Sequence, residues 1–271
     1  MRYLFGRFPL RIDGNETIVN RISSRYQKYL DVDHGSDSAY VLRFELIACD
    51  EYEEHLSEGW NVISENGETV YSANGKMMFA LRNDETIQET IVSVCDNWSD
   101  SIWLGMQFGT LLALRHDCIG LHGVTLLCGN KIVILSAPSG TGKTTLAGLL
   151  EEYADAIVIN GDFAMLSVDQ DHVFFEPTPF CGSSRRCLNQ RVRIDQVVFL
   201  EQAKKNEWKN LDDRAAMTRF MNNTFVPTWD RASLQTIQNN VLKIVSAIPV
   251  SSFGFAPFPK AAEDFMKSMN Q

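Results

Sequence analysis

No run of apolar residues in this chain is long enough to cross a bilayer. The longest, from Ile102 to Leu114, is interrupted by Gly105, Gln107 and Gly109 and falls well short of the roughly 20 residues a spanning helix needs. It predicts a buried helix. A secretory signal is also missing, because the opening MRYLFGRFPLRIDGNET carries charges and a proline where the apolar core of a signal would lie, so export is not expected. Basic charge is in deficit: 25 Lys and Arg stand against 34 Asp and Glu, a formal net charge of -9. That balance argues against nucleic acid and acidic membranes as partners. Six cysteines (Cys49, Cys95, Cys118, Cys128, Cys181 and Cys187) form no CxxC pair. Without zinc spacing or small-scaffold density, the expectation is reduced thiols in a cytoplasm.

What is present is enough for a sizeable core, with 45% hydrophobic residues in a chain of 271. Residues 1 to about 100 hold short apolar runs at 40–47, 61–64, 69–72 and 76–81, separated by Gly, Asn and Asp. This is hairpin spacing, and Asn74-Gly75 suits a tight turn between two strands. A small β-rich N-terminal region, 1–100, is expected. Its acidic segments, 31–37 and 50–54, read as solvated loops rather than a metal site.

From about Ser101 the elements lengthen. A helix through Arg115 precedes strands at 121–128 and 131–136 turned by Gly129-Asn130, then a helix over 143–152. Strands over 156–159 and 163–168 flank the polar break Asn160-Gly161-Asp162, and hairpins continue through Phe175. Residues 192–200 read as one buried strand, 212–221 and 231–247 as helices, with a last strand near Pro249 and a terminal helix. The class is α/β, with a second domain over 101–271. No repeat or low-complexity tract occurs.

The segment KIVILSAPSGTGKTTLAGLL follows the Walker A pattern with Ala137 in place of its first glycine. An apolar strand leads in and a helix leads out, so consecutive backbone N–H groups and the positive end of a helix dipole converge on one spot. Ser139, Gly140, Thr141, Gly142, Lys143, Thr144 and Thr145 are the expected phosphate-binding residues, for a nucleoside triphosphate and most plausibly Mg-ATP. Gly140 and Gly142 let the backbone wrap closely, Lys143 places a cation on the β- and γ-phosphates, and Thr144 offers its hydroxyl to Mg2+. Phosphoryl transfer further needs a group that positions or deprotonates the acceptor. Asp162, at the end of a strand where a Walker B acid would stand, and His122, before the loop, are the candidates.

LHGVTLLCGNKIVILSAPSGTGKTTLAGLL followed by VINGDFAML resembles HPr kinase/phosphorylase and its kinase-like relatives, whose P-loop is of the phosphoenolpyruvate carboxykinase type. In that family a His-Gly pair opens a strand before the loop, matched by His122 and Gly123. A later strand ends in an acidic pair, of which Gly161 and Asp162 retain only the second member. The resemblance implies a P-loop kinase domain with a mixed sheet, Asp162 as general base and Mg2+ ligand beside Thr144, and a possible homo-oligomer. It extends over about 102–252, through PTPFCGSSRRCLNQ and VRIDQVVFLEQ. The glutamate-arginine-glycine signature and the late basic motif of true HPr kinases are absent. The chain is more similar to divergent relatives beside peptide-modification pathways, including kinases of lasso-peptide precursors.

The expected activity is ATP-dependent phosphorylation of a peptide, protein or small-molecule hydroxyl. A nucleotide-gated binding or assembly module, or a weak ATPase, is the alternative, because Gly161 leaves the acidic pair incomplete. An ABC-type ATPase is weaker, since no LSGGQ-like segment follows. Arg185 and Arg186, after Gly182–Ser184, could stabilise a transferring phosphoryl group, although a solvated loop fits them too. Glu176 could complete a metal shell through water, or lie in a surface loop beside Pro177 and Pro179. His34, His55, His116 and His172 show no ligand spacing.

Overall fold

Two Asn-Gly pairs turn the N-terminal strands back on themselves. Asn66 and Gly67 take φ of 51° and 81°, Asn74 and Gly75 of 53° and 73°, the all-positive pattern of type I′ hairpins. These turns belong to a computed structural model that describes residues 1–30, 40–48, 59–84, 86–95, 99–227 and 230–270. It divides into two units, 1–115 with 227–231 and 116–226 with 232–271. The described residues form a mixed α/β protein with two mixed sheets and six α-helices.

In the first unit β1 (Arg2–Phe5) and β2 (Phe8–Gly14) are followed by α1 (Glu16–Arg25), β3 (Tyr40–Leu46), β4 (Trp60–Glu65), β5 (Glu68–Ala73), β6 (Lys76–Asp84), β7 (Glu89–Val94) and α2 (Ser99–Ala113). The sheet order is β1-β2-β3-β7-β6-β5-β4, with β3 parallel to both β2 and β7. The apolar runs at 40–47, 61–64, 69–72 and 76–81 lie on β3 to β6. Helix α2 takes up the apolar stretch that contains Gly105 and Gly109. A Cβ at Gly105 would come within 2.7 Å of Val92 Cγ1, and one at Gly109 within 2.7 Å of Leu42 Cδ1, so the two glycines let helix and sheet approach closely. Phe108 of the same helix joins the stack of Tyr71 on Phe79. The helix therefore groups with the first unit, which ends at Arg115 rather than near residue 100. The acidic segments 31–37 and 50–54, with His34, His55 and Cys49, lie outside the described residues.

The second unit runs β8 (Cys118–Cys128), β9 (Lys131–Ser136), α3 (Lys143–Tyr153), β10 (Ile157–Asn160), β11 (Phe163–Asp169), β12 (His172–Glu176), β13 (Val192–Arg193), β14 (Gln196–Gln202), β15 (Glu207–Asn210), α4 (Asp213–Asn223), α5 (Arg231–Ala247), β16 (Val250–Phe255) and α6 (Lys260–Met269). Its nine strands are ordered β13-β12-β11-β8-β9-β14-β16-β15, with β10 also on β8. Strands β9, β14 and β16 are mutually parallel. Alternation along them sorts side chains to two faces. Val133, Leu135, Val198 and Leu200 pack with Leu146 and Leu150 of α3 and Phe265 of α6. Ile134, Val197 and Phe199 pack with Phe220 of α4 and Ile237 and Val241 of α5. Burial on both faces explains the unbroken apolar runs at 132–135 of β9 and 197–200 of β14.

Residues 192–200 are not one strand. Val192–Arg193 pairs with β12, whereas β14 pairs with β9 and β16. The break falls at Asp195, whose carboxylate accepts the Ile132 N–H at 2.7 Å and whose own N–H donates to the Ile132 carbonyl at 2.9 Å. No described helix is long and apolar enough to cross a membrane.

Candidate functional site

Strand β9 ends at Ser136, and the chain then turns through 137–142 into α3. Gly140 has φ of 78° and Gly142, at the N-cap, 108°. Both values lie where a Cβ is strained. Gly142 also carries no capping side chain, which leaves the first-turn N–H groups of α3 without a side-chain acceptor at the cap. Ser139 and Gly140 are exposed, as are Thr144 and Thr145, while Lys143 is only 8% exposed. The Lys143 ammonium donates to the carbonyls of Ala137 at 2.7 Å and Pro138 at 3.2 Å, so it sits under the loop. Burial lowers its pKa and the nearby Asp162 charge partly restores it.

Asp162 is positioned by strand pairing. Phe163 faces His122 across the β11–β8 ladder, and the Gly123 N–H donates to the Asp162 carbonyl at 2.9 Å. As a result His122 Nε2 lies 3.5 Å from Asp162 Oδ1, with both side chains partly open to solvent. The His122 carbonyl accepts from Ser136 Oγ at 2.8 Å, which ties this strand to the end of β9. Asn160, fully buried, accepts the N–H groups of Asp162 and Phe163 on its side-chain oxygen and donates its amide to the Phe180 carbonyl. The polar break Asn160-Gly161-Asp162 is thus organised by its first side chain, a role that the sequence pattern does not mark.

A second segment closes over the same turn. Cys181 and Cys187 are joined by a disulfide. Within the loop between them, Gly182 has φ of 58°, and a Cβ there would come within 2.7 Å of Asp162 Cβ. A Cβ on Gly161 would overlap Ser184 Oγ, so the missing first acid of the pair reflects a position with no room for a side chain. Cys95 is disulfide-bonded as well. The expectation of uniformly reduced thiols is thus overturned, and among the described cysteines only Cys118 and Cys128 stand outside a disulfide. The pairing escaped notice because Cys181 and Cys187 are six residues apart without a recognisable spacing motif.

Arg186 forms an ion pair with Glu151 of α3, and Arg185 is exposed with φ of 54°. Glu176 does not lie in a surface loop. It is fully buried at the end of β12, where its Oε1 accepts from Ser167 Oγ at 2.5 Å and Arg191 Nε at 2.9 Å. His116 and His172 belong to no cluster of metal ligands, and no group of three His, Cys, Asp or Glu suited to a metal ion occurs among the described residues. That donor set does not suit an all-protein cage. It does suit Mg2+, which keeps waters and phosphate oxygens and needs only one or two protein ligands.

No family model matches the chain, and no curated protein matches it. Among solved structures, the Hpr(Ser) kinase/phosphatase from Coxiella burnetii aligns at 10% identity and a TM-score of 0.32, over 56% of this chain and 99% of that one.

Proposed function

We propose that this chain is an ATP-dependent kinase of HPr-kinase-like type, transferring the γ-phosphoryl group to a hydroxyl of a peptide, protein or small-molecule acceptor. One observation carries the reading: Gly123 faces Ser136 across the β8–β9 ladder and the His122 carbonyl accepts from Ser136 Oγ, so the His122–Asp162 pair stands beside the strand end from which the glycine-bearing loop departs into α3.

Loop N–H groups and Lys143 hold the triphosphate, with Lys143 leaving its own loop carbonyls for the β- and γ-phosphate oxygens. Mg2+ would be held by the Thr144 hydroxyl and the Asp162 carboxylate together with the phosphates. When bound, it neutralises charge on the β- and γ-oxygens. Asp162 accepts the acceptor hydroxyl's proton as that oxygen bonds to the γ-phosphorus. The bond from the γ-phosphorus to the bridging oxygen breaks, and its electron pair leaves with ADP. His122 orients Asp162 across the 3.5 Å contact.

Incubation with γ-labelled ATP and a panel of peptide and small-molecule hydroxyls, read by mass spectrometry, tests this. Labelled acceptor is expected, and Asp162→Asn should abolish transfer while nucleotide still binds. Full transfer by that variant removes the proposed base. A nucleotide-gated assembly module is the second reading, favoured by the absence of a side chain at Gly161. It predicts nucleotide-dependent partner affinity with no phosphorylated product.

A further inference from the structure

A cleft of about 570 Å³ opens beside the loop, lined by Gly140–Gly142 and Thr145 together with Gln202, Ala203, Lys204, Phe255 and Pro257. We infer that this cleft takes the base and ribose of the nucleotide, a placement that rests on the phosphate-loop reading and extends it.

Three observations converge on it. The cleft lies at the carboxyl ends of the three parallel strands β9, β14 and β16, since the loop follows Ser136, Gln202 ends β14 and Phe255 ends β16. Open α/β sheets bind ligands at that edge. Loop and cleft are also continuous: Gln202 Nε2 donates to the Gly140 carbonyl at 3.3 Å, and a Cβ on Gly142 would touch Phe255 Cζ at 3.0 Å. The ring thus supports the loop from beneath, and the Ala203 N–H donates to the Phe255 carbonyl at 3.1 Å, fixing the two walls together. Sheet order supplies the third. Strand β8, which carries His122, and β11, which Asp162 precedes, lie on one side of β9, and β14 and β16 lie on the other, so a triphosphate with its γ end at Asp162 leaves the nucleoside on the side of the cleft.

The wall chemistry suits a nucleoside. Pro257 and Ala203 give apolar surface for a flat ring, with the buried Phe255 behind them, and the Gln202 amide and Lys204 ammonium give polar contacts at the mouth. The volume lies within the usual 300–1,000 Å³ of a small-molecule site. Ala203 is exposed, so a large side chain there fills the cleft without entering the core.

Calorimetry with ATP and with inorganic tripolyphosphate separates the cleft from the loop. Wild-type protein should bind ATP at least about tenfold more tightly than tripolyphosphate, and Ala203→Trp should erase that advantage while leaving tripolyphosphate affinity unchanged. Equal affinities in wild type, or an Ala203→Trp variant that keeps the ATP preference, overturn the cleft assignment alone. If instead neither ligand binds, or Lys143→Ala binds both as wild type does, the loop reading itself falls and the assignment with it. Photolabelling wild-type protein with 8-azido-ATP requires no variant. Adducts should map to 202–204 or 255–257, and adducts confined to the separate cavity beside Ile157, Val158 and Leu188 would overturn the assignment.

Discussion

The side-chain oxygen of Asn160 accepts the backbone N–H of Asp162 at 3.0 Å, so the direction in which the carboxylate leaves the chain is set two residues earlier by a buried amide. The same oxygen takes the Phe163 N–H at 2.9 Å. Asn160→Ala leaves both donors without that acceptor in a buried site, which costs about 1–3 kcal/mol of stability. Phosphoryl transfer should fall on the order of 10- to 100-fold as Asp162 loses its alignment, with ATP affinity unchanged. Loss of ATP affinity in parallel with turnover would show that Asn160 supports the loop instead.

Gly161 and Ser184 leave no space between them for a Cβ. Gly161→Asp, which would complete an acidic pair, should therefore destabilise the protein by about 1–3 kcal/mol through overpacking, as read from denaturant midpoints. Adding Ser184→Gly removes the obstructing hydroxymethyl group and should recover most of the loss. If the single variant is as stable as wild type, the 181–187 loop does not bear on the turn.

What was legible in the sequence is what is local in it. The loop could be read because strand, glycines, Lys143 and helix follow one another within about twenty residues, and because each element has its own propensity signal. His122 and Asp162 were found by their spacing from the loop, and the β11–β8 register brings them within 3.5 Å. Contacts between distant residues were not legible. Glu176 looked like a loop acid beside two prolines, and only the fold brings Arg191 and Ser167 to it. The helix over 99–113 looked like the start of the second domain until its glycines met Val92 and Leu42. The break at Asp195 depends on a hydrogen bond to Ile132, across 63 residues.

Cys128 offers a pH test of the core of the second unit. It is a free thiol, 1% exposed at the end of β8, and burial pushes its pKa from 9.0 up to about 11. Because the folded value exceeds the unfolded one, the unfolded chain releases its proton first as pH rises. The stabilisation is complete below about pH 9 and is lost progressively as pH climbs through 11. Unfolding free energies of wild type and Cys128→Ala should therefore converge by on the order of 2–3 kcal/mol between those limits. Parallel curves would show that the thiol titrates alike in both states. In native protein at neutral pH, Cys128 should also resist alkylation until denaturant is added.

The disulfide between Cys181 and Cys187 closes a short loop, with a sequence separation of six. Chain entropy alone makes such a closure worth about 2 kcal/mol, so Cys181→Ser with Cys187→Ser should lower global stability by about that much. The functional effect should be unequal. The freed segment carries Gly182, which packs on Asp162, and Ser184, which packs on Gly161, whereas the glycine-bearing loop is built by β9 and α3. Phosphoryl transfer should consequently drop severalfold with ATP affinity unchanged. Dithiothreitol should reproduce the drop in wild type, and in the double variant, where the disulfide at Cys95 is left to reduce, it should leave transfer unchanged. Transfer at wild-type rate in the double variant would mean that Asp162 is held by Asn160 and the strand pairing alone, with the loop contributing only stability.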